Sequence, residues 1–165
     1  MFSKGGDIMV GKVLEIVDKL GRKEDKLIEI LIELQNQSVY NYLSKDVIKE
    51  VANLLDISET KVYGIANFYS MLSTQKRGRH VIQICNSAPC YIKEGQHLVT
   101  IFEDILGINI GEVTEDKMFS LEYTSCIGAC DQAPAARIDE MIYGELDRAK
   151  VFNILASLRR EETDE

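Results

Sequence analysis

The sequence predicts an α+β chain in two parts: a helical bundle, then an α/β domain built on a mixed four-stranded sheet. Three observations carry that expectation. Apolar residues recur at spacings of three and four through the first seventy-odd residues, the period of helices with one buried face. That pattern stops at Lys76-Arg77-Gly78-Arg79, which is basic, short and contains a glycine. Beyond it, short apolar runs of strand character are interleaved with longer helical ones, in the order strand, helix, strand, strand, strand, helix. These changes place a bundle at residues 1–75, a linker at 76–79, a second domain at 80–158 and a charged tail at 159–165.

Taken in order, Met1 to Gly6 is expected to be a loose start. Val10, Val13, Leu14, Val17 and Leu20 mark a first helix that Gly21 can end, and Leu27, Ile28, Leu31 and Leu34 mark a second. Ser44 can cap a third helix, with Val47, Ile48, Val51, Leu54 and Leu55 on its buried side. Ser58 can cap a fourth, expected over Glu59 to Leu72, with Val62, Ile65, Ala66 and Tyr69 inward. In the second part, His80 to Ile84 reads as a strand running into Cys85. Glu94 to Leu106 reads as a helix ended by Gly107, with Leu98, Ile101, Phe102 and Ile105 inward. Phe119 to Thr124 alternates as a strand, and Ala135–Ile138 with Met141–Tyr143 form a hairpin about Asp139-Glu140. Asp147 caps a last helix carrying Val151, Ile154, Leu155 and Leu158.

All four cysteines lie between Cys85 and Cys130, as Cys85-x4-Cys90 and Cys126-x3-Cys130 with thirty-five residues between the pairs. Each pair follows a strand. If those strands are parallel neighbours, both pairs emerge at one edge of the sheet. Four thiolates are what one 2Fe–2S cluster needs, two for each iron. Gly128, Ser87, Pro89 and Pro134 punctuate the two loops, and a missing side chain at Gly128 lets backbone N–H groups approach sulfur. Other uses of the four stay open on spacing alone. Two disulfides require an oxidising compartment, and no secretory pattern stands at Met1 to Lys26, so a cytoplasmic location is expected. A structural zinc prefers C-x2-C knuckles, narrower than either pair here, and would make the chain a zinc-stabilised interaction module. Four buried, unligated thiols are the third alternative. His80 and His97 flank no cysteine and are expected at the surface.

Charge and composition exclude several classes. A net charge of −8 disfavours nucleic acid, whose phosphates call for a basic face. The third and fourth helices could form a helix-turn-helix around Asp56-Ile57-Ser58, but Lys61 is the only cation from Glu59 to Leu72. No apolar run approaches the roughly 18 residues of a membrane span, so no direct membrane insertion is expected. Neither G-x-G-x-x-G after a strand nor G-x4-GK[ST] occurs, so the chain carries no nucleotide fingerprint.

The run Val62-Tyr63-Gly64-Ile65-Ala66-Asn67-Phe68-Tyr69-Ser70, the pair Cys85-x4-Cys90, and Cys126-Ile127-Gly128-Ala129-Cys130 with Ala133-Pro134 resemble a known family. It is the small 2Fe–2S subunit of NADH:ubiquinone oxidoreductase, a module also resembling the gamma subunit of NAD-linked multimeric iron hydrogenases and formate dehydrogenases. The resemblance runs from about Leu27 to Leu158. It implies a thioredoxin-like second domain, with Cys85, Cys90, Cys126 and Cys130 as ligands of one 2Fe–2S cluster and no catalytic residue of the chain's own. It also implies an electron-carrier subunit working beside a flavin- and NAD-binding partner, and a hydrogenase or formate dehydrogenase catalytic subunit in some assemblies, soluble or within a peripheral membrane complex. Whether such a complex bifurcates electrons is left open. The first loop departs from the family by reading Asn86-Ser87-Ala88-Pro89, where many members carry Gly and Thr.

Overall fold

The computed structural model describes residues 6–93 and 95–161, and side chains from residue 12 to residue 160 except Glu94. The chain divides into two compact units between Arg77 and Gly78.

Among its described residues the first unit holds four α-helices: α1 (Gly6–Leu20), α2 (Leu27–Asn36), α3 (Lys45–Leu55) and α4 (Glu59–Phe68). Each boundary has a local cause. Gly21 takes φ +102 after α1, a conformation that costs glycine little. Ser44 and Ser58 accept the backbone N–H of Val47 and Lys61 at the starts of α3 and α4. Asp56 turns left-handed at φ 54 to end α3, and Ile57 N–H donates back to the Ala52 carbonyl. Val13, Ile16, Val17, Leu27, Leu31 and Val51 pack in one apolar core. Two expectations change here. Leu14 is 46 % exposed, and the buried position is Ile16. The fourth helix stops at Phe68, four residues short of Leu72, and Gln35 supplies the reason. Its buried amide donates to the Met71 carbonyl and accepts from Ser73 N–H, which holds the chain in a non-helical path. Val10 falls where side chains are not described.

The second unit holds β1 (His80–Cys85), α5 (Ala88–Ile92), α6 (Gly95–Leu106), β2 (Phe119–Thr124), β3 (Ala136–Ile138), β4 (Met141–Tyr143) and α7 (Arg148–Glu161). The sheet is mixed, in the order β2-β1-β3-β4. β1 and β2 are parallel neighbours, with Cys85 opposite Thr124, while β3 runs antiparallel to both β1 and β4. Alternation divides the sheet into two faces. Ile82, Ile84, Phe119, Leu121, Ala136 and Ile138 point into a core shared with Leu98, Phe102, Val151 and Leu155. The opposite face carries Val81, Gln83, Cys85, Ser120, Glu122 and Arg137.

Three further expectations are corrected. The first cysteine loop contains a short helix, α5, which holds Cys90 and has Pro89 in its first turn. α7 continues through Arg159 and Arg160 to Glu161, so the expected charged tail begins as helix; cations suit a helix C-terminus. His80 is half-buried rather than open to solvent: its side chain is 17 % exposed, with Nδ1 2.7 Å from an Asp139 carboxylate oxygen. The stretch 76–79 also divides. Lys76 Nζ lies over the rings of Tyr40 and Tyr42, and Arg77 N–H donates to the Tyr40 carbonyl, within the first unit. Gly78 belongs to the second, where a Cβ would strike the Phe119 carbonyl carbon at 2.4 Å. Its glycine is set by close packing rather than by linker freedom.

We propose on this basis that the first unit is an independent folding domain. A fragment of residues 1–77 is expected to give a helical circular dichroism spectrum and a cooperative melt without any cofactor, because its apolar stripes bury one another. A disordered spectrum would show that the bundle needs the rest of the chain.

Candidate metal centre

Both cysteine pairs sit beyond the carboxyl ends of the two parallel strands. Cys85 is the last residue of β1, and Cys126 comes two residues after β2. The adjacency of β1 and β2 is what joins pairs that are distant in sequence. Cys85 and Cys90 are buried, at 2 % and 1 % exposure, whereas Cys126 is exposed and Cys130 half-buried. The Sγ atoms of Cys126 and Cys130 lie 3.7 Å apart. Cys85 and Cys90 act on one another's titration as neighbours. Among the described residues, no three His, Cys, Asp or Glu side chains gather around one point as a lone metal ion would need. The thiols come in twos.

Groups from both loops act on the Cys85 thiol. Burial acts first on Cys85 and pushes its thiol up. Backbone N–H of Ser87, the Cys90 thiol, the Ser87 hydroxyl and backbone N–H of Ile127 all oppose this, and the net result lies below the usual thiol value. Ile127 belongs to the second loop, so one loop's backbone supports the other's sulfur. Ser87, expected as a turn residue, therefore spends its hydroxyl on sulfur and makes no side-chain cap to α5. Burial and the neighbouring Cys85 push Cys90 up to about 11, with the charges of Cys130 and Cys126 adding to it. Cys130 is raised mainly by its hydrogen bond to Cys126. Cys90 and Cys130, each pushed up in part by neighbouring sulfur, belong to a donor set that favours a cationic centre able to take up thiolate charge.

The second loop gets its shape from Gly128, at φ +80. No protein atom lies within 4 Å of where its Cβ would be, so the backbone turn, not crowding by the chain, accounts for this glycine. The Ala133–Pro134 peptide bond that follows is cis. Gly95 is a supporting residue that sequence reasoning did not single out. It opens α6, and a Cβ there would stand 2.7 Å from the Cys90 carbonyl oxygen. Nothing in the local sequence distinguishes it from an ordinary helix-start glycine.

The donor chemistry fits a 2Fe–2S group: four sulfurs in two close pairs, with backbone N–H groups directed at one of them. A family model described as thioredoxin-like [2Fe-2S] ferredoxin matches residues 13–159. The chain belongs to that family, and its cofactor is a 2Fe–2S cluster. Among its relatives, the NADP-reducing hydrogenase subunit HndA of Solidesulfovibrio fructosivorans is 32 % identical over 145 residues, covering 88 % of this chain and 84 % of that one. A subunit of the NADH-quinone oxidoreductase of Rhizobium meliloti is 35 % identical over 126 residues, covering 76 % and 75 %. A crystal structure of NAD+-reducing [NiFe]-hydrogenase in the air-oxidised state superposes with a TM-score of 0.72 at 20 % identity, over 82 % of this chain and 23 % of that one. This chain therefore spans about a quarter of that solved chain, and the likeness extends to fold alone. Among the described residues, no helix is long and apolar enough to cross a membrane.

Proposed function

We propose that this chain is the one-electron carrier subunit of an NAD(P)-linked oxidoreductase complex of the NADH dehydrogenase or hydrogenase type, with Cys85, Cys90, Cys126 and Cys130 as the cluster ligands. The carrying observation is the placement of the two cysteine pairs at the carboxyl ends of adjacent parallel strands, with the Sγ atoms of Cys126 and Cys130 3.7 Å apart. Pairing follows the loops, with Cys85 and Cys90 on one iron and Cys126 and Cys130 on the other. The bound cluster takes up and returns one electron at a time. The chain's residues hold the thiolates, keep water from the buried pair and set the charge and hydrogen bonding around them. Iron and acid-labile sulfide analysis tests this: two of each per chain are expected, and one zinc with no sulfide would overturn it.

The partner is proposed to be a flavin- and NAD-binding subunit of the same complex, which fits the relatives' names as complex subunits. Since the sequence carries no nucleotide fingerprint, the pure chain is expected not to oxidise NADH. Ile127, Ala129, Ala88 and Tyr91 are the apolar side chains of the two cysteine loops, and a rim for docking would be built from them. Ala129 is 7 % exposed and serves as loop packing instead, whereas Ala88 is exposed and Tyr91 is 61 % exposed, next to Ile92 at 80 %. An exposed apolar rim on the helix that holds Cys90 suits a surface that is covered on assembly. Tyr91→Glu is expected to reduce co-purification with the flavin-binding partner about tenfold or more while leaving the cluster's visible spectrum intact. Wild-type co-purification would move the interface elsewhere, to the helical unit first.

A further inference from the structure

The sheet face that carries Cys85 also carries a row of polar side chains that its fold does not otherwise explain. Gln83 is 7 % exposed, in the strand that ends at Cys85. Its neighbours across the sheet are Glu122 on β2 and Arg137 on β3, each directly in register with it. The Gln83 amide nitrogen donates to Glu122 Oε1 at 2.5 Å. The Gln83 amide oxygen accepts from Arg137 Nε at 2.8 Å and from a terminal guanidinium nitrogen as well. One neutral amide thus uses both its ends to hold a carboxylate on one side and a guanidinium on the other. Two residues further along β1, about 7 Å at strand rise, and on the same face, stands Cys85.

A sheet needs no such row for its own cohesion. Apolar side chains would bury as well there, and a buried charge is retained at a cost in desolvation. The row does place two opposite full charges, each fixed in orientation, beside a centre whose net charge changes by one when it accepts an electron. A fixed cation favours the reduced, more negative state, and a fixed anion disfavours it. Glu122 and Arg137 are half-buried, so salt screens them less than it would fully exposed charges.

We propose that Arg137 and Glu122, oriented by Gln83, are opposed tuning residues for the cluster's reduction potential. This rests on the cysteine ligation proposed above. Reduction adds one electron, supplied in the test by dithionite through mediators, and no proton or bond of these residues changes. The experiment is a potentiometric titration of the full-length, cluster-loaded chain, followed by electron paramagnetic resonance, on wild type, Arg137→Met, Arg137→Lys and Glu122→Gln. Arg137→Met is expected to lower the midpoint and Glu122→Gln to raise it. Arg137→Lys, which keeps the charge, should recover most of the wild-type value. Thermal melting of each variant is read alongside. A purely structural row would shift melting without moving the potential in opposite directions for the two charges. Unchanged midpoints, or shifts of the same sign in Arg137→Met and Glu122→Gln, overturn the proposal. If Arg137→Met fails to hold its cluster, Glu122→Gln decides alone: an upward shift supports the proposal and an unchanged midpoint ends it. Iron and sulfide content in the same samples separates this outcome from failure of the ligation reading, since a chain without sulfide has no cluster to tune.

Discussion

Cys85→Ser, Cys90→Ser, Cys126→Ser and Cys130→Ser are each expected to lose the cluster or leave it badly unstable. Serine offers a harder oxygen that binds these irons poorly and must be deprotonated to bind at all. The structure grades the outcome. At Cys85 and Cys90 the side chains are buried, so water cannot readily fill a vacated position, and complete loss is expected. Cys126 is exposed, so solvent can reach the iron it leaves behind, and a fraction of cluster should survive purification with an altered spectrum. Visible absorption, electron paramagnetic resonance and iron content on the four proteins check this. Any one substitution that leaves the spectra unchanged removes that residue from the ligand set.

Gly95→Ala is expected to damage the cysteine site directly. A Cβ at this position would lie 2.7 Å from the Cys90 carbonyl oxygen and 3.0 Å from its carbonyl carbon. Both are backbone atoms, so relief requires moving the segment that holds Cys90, or the start of α6. Alanine's better helix propensity would offset about 1 kcal/mol at an open helical site. Overpacking of this kind costs about 1–3 kcal/mol, and here the displacement falls on a proposed ligand. The expected result is a lower melting temperature together with faster loss of iron to a chelator. Unchanged chelation kinetics would show that α6 yields rather than Cys90. Gly64→Ala is the internal control: a Cβ there meets nothing within 4 Å, and the same substitution should be harmless to the site.

Much of this protein was legible in the order of its residues because the signals involved are local. Helical spacing, Ser44 and Ser58 as caps, Gly21 and Gly107 as stops and the Asp139-Glu140 turn each depend on a few neighbours, and all appear where the chain places them. The departures came from contacts between residues far apart in the sequence. Gln35 reaches the backbone at Met71 and Ser73, over thirty residues away, and cuts α4 short against its own periodicity. Asp139 draws in His80 from the other end of the sheet's sequence.

The cysteine pairs together with the run Val62 to Ser70 and Ala133-Pro134 were enough to carry the resemblance to the family, and with it the 2Fe–2S cofactor, since residue type and spacing are properties of the chain. Tertiary structure alone decided how the two thiol pairs are placed. The parallel pairing of β1 with β2 sets both pairs at one sheet edge, and burial makes Cys85 and Cys90 the dry side and Cys126 the open one. Ile127 N–H turned toward Cys85, Gly95 pressed on Cys90, and the Glu122–Gln83–Arg137 row are likewise unreadable in the sequence. The reason is physical: strand register and close packing are settled by which side chains fill the shared core, and that depends on the whole domain at once.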